Sequence, residues 1–373
     1  MRSALLPIGV FLLVLAVGLS GYAGWRALVQ PPPAPPPAAA GSELSRPAPP
    51  GWSSQFAWSQ EISETRDIAV SNNRIATINA NGSLVVLNAD GGEVMWASKP
   101  VVISTSARPV IADAGGTPVA GIIDGQDLYL SRLDDASGSP ELSARVLPPQ
   151  SAVTWTGGSL LVTAPSGTWT VGPDLNLRSV DVPRDEVAMA ADAEQVISAP
   201  QEGGWLLTGG DDQERVTPDV PRGARGSPHP AWAARGVVFA WWDTSDGRRK
   251  VASLHDARSG ELLALSQVSD DTLRGGMFLT VSPGRALASA GPMLVDLRTG
   301  FTTIDDEWNS QAAPNDRYLY GSRSGIKAVW DGREVTDMDP DAAVPWGTSD
   351  AGLAIVLDRT EEGTTLVGGL RPE

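Results

Sequence analysis

Similar short segments recur along the chain at a spacing close to forty residues. The three clearest are "LVVLNADGGEVMW", "VASLHDARSGELLAL" and "LVDLRTGFTTI", whose turn glycines are Gly92, Gly260 and Gly300. Gly92 and Gly260 are 168 residues apart, which is four intervals of 42, and Gly260 and Gly300 are 40 residues apart. A fixed spacing of this size is typical of a repeat array rather than of independent hairpins.

Weaker copies fill the intervals between these segments. Their turn signals lie at or near Gly138, Gly172–Pro173, Gly210–Asp211, Gly332 and Gly363. Eight turns at an average spacing of about 39 residues leave room for four short strands in each unit. A small four-stranded sheet cannot bury both of its faces alone, but sheets arranged radially bury one another. The sequence therefore predicts an all-β fold, a β-propeller of four-stranded blades, with eight blades preferred and seven as the alternative.

The last unit lacks one strand. Three strands are predicted before the chain ends, at Ala342–Gly347, Gly352–Leu357 and Thr364–Leu370. The N-terminal segment "SQFAW" (54–58) aligns with "GEVMW" (92–96), so that Trp58 takes the place of Trp96. We therefore expect an N-terminal strand to complete the last blade and to close the ring, because this would pair an otherwise exposed sheet edge.

Two of the segments share a longer pattern. "NADGGEVMW" contains Ala89, Gly92 and Trp96, and "DARSGELLAL" contains Ala257 and Gly260 but lacks the tryptophan. These units resemble the PQQ-like, or quinoprotein-type, propeller repeat, whose signature runs roughly Ala-x-Asp-x-x-Thr-Gly-x-x-x-Trp, whereas WD-repeat signatures are missing. The resemblance covers about residues 53–370 and implies the architecture rather than an activity. The chain looks most like the non-catalytic branch that includes the BamB-type envelope assembly lipoproteins.

The N-terminal run "LLPIGVFLLVLAVGLSGYAGW", residues 5–25, is apolar and about long enough to cross a bilayer. Arg2 precedes it and Trp25–Arg26 ends it, as in a membrane anchor. A cleaved signal peptide, with Gly21 and Ala23 before the cut, is the alternative. The chain has no Cys, so it cannot be tethered through a lipid-modified N-terminal cysteine.

A proline- and alanine-rich run follows this segment. Consecutive prolines favour a stiff polyproline II spacer that holds a domain away from the membrane. We therefore expect an anchor or signal peptide over 1–29, a linker over 30–51 and a propeller over 52–373. A single short basic N-terminus favours insertion with the C-terminal domain outside the cytoplasm, at the cell membrane.

Composition and histidine context exclude several kinds of site. The absence of Cys excludes disulfides, thiolate metal sites and a cysteine nucleophile, and a net charge of −16 disfavours nucleic acid as a partner. His229 in a proline-rich loop and His255 at a strand end are expected to be ordinary surface histidines. The acidic clusters suit tight turns, although Ca²⁺ at one of them stays open. The PQQ and Ca²⁺ ligands that the resemblance implies for dehydrogenases are not found, so no cofactor, metal site or catalytic residue is predicted.

One basic cluster stands out on this acidic chain. "TPDVPRGARGSPHP" (217–230) is expected to connect the last strand of the fourth unit to the first strand of the fifth, and "WWDTSDGRRK" (241–250) to be the fifth unit's hairpin between its second and third strands. Both connections emerge on the same face of a propeller. The predicted partner-binding residues are Arg222, Arg225, Arg248, Arg249 and Lys250, beside Trp241 or Trp242. Arginine with exposed tryptophan is typical of interaction hot spots.

These observations favour a protein-interaction platform without catalytic function. A single-pass anchor and an extracytoplasmic propeller predict partners among membrane or envelope proteins. The alternative is a propeller enzyme, either a degenerate quinoprotein or a glycan-active protein. Converging carboxylates or a cofactor cage in the central channel would mark that alternative.

Overall fold

Short apolar runs form the inner strands of this protein, whose structure is a computed structural model. It describes residues 41–62, 67–134, 139–193, 195–210, 212–245, 247–270, 278–360 and 363–373. The runs "VVFA" and "LASA" are buried at every residue, because blades on both sides cover an inner strand. The outer strand "DQERV", by contrast, is exposed at its first four residues.

The first half of the chain forms four blades in sequence order. The strands are β1 (Trp52–Ile62), β2 (Ala69–Ser71), β3 (Arg74–Ile78), β4 (Leu84–Asn88), β5 (Val94–Ala97), β6 (Arg108–Ala114), β7 (Thr117–Asp124), β8 (Asp127–Arg132), β9 (Ser143–Val146), β10 (Ala152–Thr154), β11 (Leu161–Ala164), β12 (Gly167–Val171), β13 (Leu177–Val180), β14 (Glu186–Asp192), β15 (Gln195–Pro200), β16 (Trp205–Gly209) and β17 (Asp212–Val216). Blades 1 to 4 are the antiparallel sheets β2–β5, β6–β9, β10–β13 and β14–β17.

The second half forms the other four blades. The strands are β18 (Ala224–Ala234), β19 (Val237–Thr244), β20 (Arg249–Asp256), β21 (Leu262–Ser269), β22 (Leu279–Val281), β23 (Leu287–Ala290), β24 (Met293–Asp296), β25 (Phe301–Ile304), β26 (Trp308–Ala312), β27 (Leu319–Arg323), β28 (Ile326–Trp330), β29 (Val335–Asp337), β30 (Gly347–Thr348), β31 (Ala354–Arg359) and β32 (Thr365–Pro372). Blades 5 to 7 are β18–β21, β22–β25 and β26–β29.

The ring is closed by the N-terminal strand. Blade 8 has the strand order β1-β32-β31-β30, and β1 pairs antiparallel with β32 from Trp52 opposite Pro372 to Ile62 opposite Thr365. In the described residues the sheets number eight, each with four strands. The predicted all-β propeller, its eight blades and its closure by an N-terminal strand are therefore confirmed.

The apolar core is distributed between the blades. Among the described residues, buried side chains form eight clusters, and each cluster joins two neighbouring blades. One cluster, for example, packs Phe239 and Leu254 of blade 5 against Met293 and Val295 of blade 6. A blade therefore buries its faces only when both neighbours are present, as the repeat predicted.

The turn glycines mark equivalent places in most of the blades. Those that join a third strand to a fourth strand are Gly92, Gly172, Gly210, Gly260, Gly300 and Gly332. Gly138 lies outside the described residues. Gly363 is different, because it lies between β31 and β32, the second and third strands of blade 8. Blade 8 has no turn between its third and fourth strands, since β1 comes from the other end of the domain.

A tryptophan contact between blades explains part of the repeat. The indole N–H of Trp58 donates to the carbonyl of Ala89 at 3.1 Å, and that of Trp96 donates to Leu133 at 3.4 Å. Ala89 and Leu133 each directly follow the third strand of the next blade. Trp58 and Trp96 therefore occupy the same place, as the alignment predicted.

Residues 41–51 pack on the propeller although composition assigns them to the end of the linker. The side chain of Leu44 is buried, and the N–H of Ser45 donates to Asp358 Oδ2 at 2.9 Å. The predicted membrane segment and the prolines up to residue 40 lie outside the described residues. No helix in the described ranges has the length and apolar composition that a membrane crossing requires.

Candidate functional site

All four strands of blade 5 are long, and the blade extends beyond its neighbour, blade 6. Its strands have 8 to 11 residues, whereas those of blade 6 have 3 or 4. In blade 5 the N–H of Ala257 donates to the carbonyl of Gly236, and in blade 6 the N–H of Leu297 donates to the carbonyl of Ala286. These equivalent hydrogen bonds align the turns at one end of the two blades. The additional residues of blade 5 therefore lie at the opposite end, the hairpin face, which carries the hairpins between second and third strands.

The segment 217–230 is only partly a connection. Strand β18 begins at Ala224, so the prediction that this whole segment is a loop is wrong for its second half. The strand tolerates Pro228 and Pro230 because it is the innermost strand and has one edge without a strand partner. A bulge between Arg225 and His229 accommodates the extra residues.

The segment 241–250 forms the predicted hairpin. Strand β19 ends at Thr244 and β20 begins at Arg249, so the hairpin lies at the hairpin face of blade 5. In the register of these strands, Arg225 lies opposite Asp243, and Asp243 lies opposite Lys250. The structure therefore brings the two predicted segments together, as the strand topology implied.

The two adjacent tryptophans have different environments. Trp242 is buried within the blade, and its indole N–H donates to Ser253 Oγ at 2.9 Å, so it does not reach the surface. Trp241 is half-buried and its ring stacks on His229, with centroids 3.7 Å apart and planes 8° apart. Lys250 Nζ lies 4.8 Å from the centroid of the same ring. Only Trp241 therefore joins the predicted site.

The basic residues differ in how strongly the fold engages them. Lys250 forms an ion pair with Asp243 and another with Asp270 at 3.9 Å, and its hydrogen bond lowers the pKa of Asp243. Arg249 is exposed and donates to Gln267 Oε1 at 3.3 Å. Arg222, Arg225 and Arg248 are exposed as well. We call Arg222, Arg225, Trp241, Arg248, Arg249 and Lys250 the basic patch.

The prediction that both histidines lie on the surface is wrong for His255. This side chain is fully buried, its Nε2 lies 2.8 Å from Ser253 Oγ, and its Nδ1 lies 3.1 Å from the carbonyl of Gly260. Burial lowers the pKa of His255, which favours the neutral ring. It therefore stabilises the turn after β20 from inside the core.

Sequence reasoning missed a charged cluster at the central channel. Arg235 directly follows the innermost strand β18, has a φ of 45°, and donates its N–H to the carbonyl of Thr156 at 3.1 Å. Burial lowers the pKa of Arg235, and the carboxylates of Asp316, Asp113 and Asp192 act in the opposite direction. Four blades therefore contribute one charge each to this cluster.

The carboxylates of this cluster also influence one another. Burial raises the pKa of Asp113, the negative charge of Asp192 raises it further, and Arg235 lowers it. Asp113 and Asp192 both occur in the sequence Ala-Asp-Ala near the end of an innermost strand. That shared tripeptide was the available signal, but it could not reveal that Arg235 of another blade lies close. In the described ranges, no group of three or more His, Asp or Glu is placed to hold a metal ion.

Comparisons with known proteins give similarity in fold at low sequence identity. No protein-family model matches the chain, and no curated protein matches it in sequence. The crystal structure of the C-terminal WD40 domain of Sif2 is 11% identical, with 84% of this chain and 99% of that chain covered and a TM-score of 0.47. BamB from Moraxella catarrhalis is 14% identical, with 84% and 99% covered and a TM-score of 0.40. The computationally designed Ika8 protein is 14% identical, with 88% and 100% covered and a TM-score of 0.42.

Proposed function

We propose that this chain is a membrane-anchored, extracytoplasmic β-propeller that serves as a protein-interaction platform and has no catalytic function. The observation that supports the proposal is the basic patch on the projecting end of blade 5. Four exposed arginines lie there with Trp241 on a chain of net charge −16. Such a patch suits an acidic segment of another membrane or envelope protein, because Arg pairs with carboxylates in a bidentate manner.

Rigid presentation supports the same proposal. Trp241 lies between His229 and Lys250, and the bond from Lys250 to Asp243 fixes the lysine beside the ring. A side chain that is already ordered loses little conformational entropy when a partner binds. An anchor over residues 5–25, followed by a stiff spacer, would also raise the local concentration of the propeller near membrane partners.

Charge reversal of the basic patch tests this proposal. We expect the quadruple substitution Arg222→Glu, Arg225→Glu, Arg248→Glu and Arg249→Glu to abolish cross-linking of a partner in intact membranes. The control reverses Arg132, Arg258, Arg317 and Arg333, four exposed arginines at strand ends or turns on the opposite face, and changes the net charge equally. If the patch variant retains every cross-link of the parent protein while the fold is intact, the proposed site is wrong.

Two carboxylates would be the residues to test for the alternative, a propeller enzyme. Asp113 and Asp192 lie close enough to interact at the central channel, and the raised pKa of Asp113 is a property of general acids. If the propeller were a glycan-active enzyme, Asp113→Asn would abolish turnover of its substrate, whereas the patch variant would retain it. Retained partner cross-linking by the Asp113→Asn variant would instead support the platform.

A further inference from the structure

A cavity of about 740 Å³ lies at the centre of the ring. The innermost strands of blades 6 and 7, the end of β18 and the segment that leads into β30 border it. Cavities of roughly 300–1,000 Å³ are typical of sites for small molecules. The cavity is separate from the basic patch, and the proposed platform function does not use it.

The charged side chains that line this cavity are cations. They are Arg46, Arg235 and Lys327, and none of the described lining residues is Asp or Glu. Lys327 Nζ donates to the carbonyl of Ala342 at 2.8 Å, and no ion pair joins it to a carboxylate in the described residues. A lysine held this way by one neutral acceptor keeps two N–H groups for a ligand.

Arg46 brings a second cation to the same cavity. Its Nη2 donates to the carbonyl of Leu357, but its Nε is buried and has no hydrogen-bond partner in the described part of the chain. Asp358 Oδ1 lies 4.0 Å from Nε and forms a long ion pair with it, and this oxygen also accepts a hydrogen bond from Ser45 Oγ. The guanidinium therefore keeps its positive charge beside the cavity, and its one ion pair, with Asp358, is a long one.

Aromatic side chains form another part of the wall. Trp155 and Trp346 line the cavity and are 39% and 41% exposed, although most tryptophans of this fold are buried. Pro314 and Pro345 lie beside them in the wall. Flat, accessible indole rings favour contact with a flat ring of a ligand.

From these observations we infer that the central cavity binds a small organic anion that carries a flat ring. The Arg46 and Lys327 end receives the carboxylate or phosphate, and Trp155 and Trp346 receive the ring. The anion could be a free molecule or the end group of a longer chain, and both would place the same chemistry in the cavity. Accessible tryptophans make binding visible in the intrinsic fluorescence.

Titration with a matched pair of probes tests this inference. We expect 2-naphthoate to bind the full-length protein with a stoichiometry of one in calorimetry and to change the tryptophan fluorescence. The neutral analogue 2-naphthylmethanol should bind at least about tenfold more weakly, because it lacks the charge. Equal affinity for the two probes, or no binding of 2-naphthoate at millimolar concentration, would overturn the inference.

Variants locate the probe. Lys327→Met should weaken 2-naphthoate about tenfold without affecting the alcohol, and Trp346→Leu should weaken both probes. The controls are Arg317→Met and Trp232→Leu, which change a cation and a 39% exposed tryptophan outside the cavity wall and should have no effect. Unchanged binding by Trp346→Leu would contradict the assignment even if Lys327→Met failed to fold.

Two further titrations separate related outcomes. The quadruple Arg→Glu variant of the basic patch should bind 2-naphthoate as the parent does, since the cavity does not include that patch. A failure to bind 2-naphthoate would therefore not contradict the platform proposal. A failure of the cross-linking test would likewise not contradict the cavity inference. N-acetylphenylalanine and a short peptide that ends in phenylalanine, which both carry a flat ring beside a carboxylate, then compare a free anion with the end group of a chain, and stronger binding of the peptide would identify the chain end.

Discussion

At the scale of single residues, Gly92 combines two constraints that the sequence showed only as a turn signal. Its φ is 79°, in the left-handed region that favours glycine. A Cβ at this position would lie 2.3 Å from Cε3 of Trp58. The glycine therefore serves both the turn of blade 1 and the packing of the strand that closes the ring.

Gly92→Ala tests the packing constraint against a matched control. Gly116 has the same φ of 79°, but a Cβ there would meet nothing within 4 Å. We expect Gly116→Ala to cost about 1 kcal/mol of unfolding free energy from backbone strain alone. Gly92→Ala should cost about 3 kcal/mol, because the clash with Trp58 adds to that strain. Urea denaturation measures the unfolding free energy of both variants. Equal losses would show that the clash with Trp58 makes no contribution.

Asp256 is held by a dense set of hydrogen bonds at the turn of blade 5. Its Oδ1 accepts from the N–H groups of Arg258 and Ser259, and its Oδ2 accepts from Arg285 Nη2 of blade 6 at 2.7 Å. Burial raises the pKa of Asp256, but these hydrogen bonds outweigh it and lower the pKa from 3.8 to about 2.

Stability should depend on this group in acid. Because the pKa is lowered in the folded state, the stabilisation is present above pH 4 and is lost as the pH falls towards 2. We expect Asp256→Asn to cost at most about 2 kcal/mol at pH 7, since solvent screens part of the interaction. The difference in unfolding free energy between the variant and the parent protein should vanish near pH 2. Asp306→Asn, at an exposed turn, serves as the control. If the loss of unfolding free energy in Asp256→Asn did not vary with pH, the prediction would be contradicted.

At the scale of elements, the closing strand β1 carries several large buried side chains. Trp52, Phe56 and Trp58 are each less than 7% exposed, and they pack in clusters that blade 8 shares with blades 7 and 1. Loss of β1 would also leave the edge of β32 unpaired. The strand therefore joins the two ends of the domain through its side chains and its hydrogen bonds.

Deletion of β1 should destabilise the whole propeller. A chain that starts at Arg66 should lose several kcal/mol of unfolding free energy, because burial of each large side chain contributes about 2 kcal/mol or more. A chain that starts at Gly41 keeps β1 and the segment packed before it, and it should unfold like the parent protein. Thermal unfolding of the two truncated chains tests this prediction, and identical unfolding midpoints would refute the role of β1.

At the scale of the whole molecule, the eight interfaces between blades make the ring the unit of stability. The described clusters each draw on two neighbouring blades, so removal of one blade would expose the faces of two others. This arrangement fixes the inner strands and leaves the outer connections free to vary. The longer strands of blade 5 and the basic patch are such a variation.

The proposed anchor leads to a prediction about the intact chain. If residues 5–25 stay in the membrane, the mature protein should remain in the membrane fraction with its N-terminus at Met1 or Arg2. Protease added outside intact cells should degrade the propeller. A soluble form that begins near Gly24 would show instead that the segment is a cleaved signal peptide.

The sequence by itself determined the repeat and therefore the fold. Turn geometry is local, so glycines such as Gly260 and Gly300, with φ of 76° and 72°, mark the same place in their blades. The contact of Trp58 with Ala89 recurs between Trp96 and Leu133, which is why the closing strand could be aligned by its tryptophan. Because these few local signals repeat along the chain, they were sufficient to predict the propeller fold.

Only the tertiary structure decided which residues of the candidate sites lie together. Trp241 and Trp242 are equivalent in the sequence, but neighbouring blades cover both faces of an inner strand, so alternation does not show which ring stays accessible. The cluster of Arg235 with Asp113 and Asp192 comes from three innermost strands that meet only when the ring closes. Side chains brought together by ring closure share no spacing along the chain, and their contact therefore cannot be predicted from local patterns.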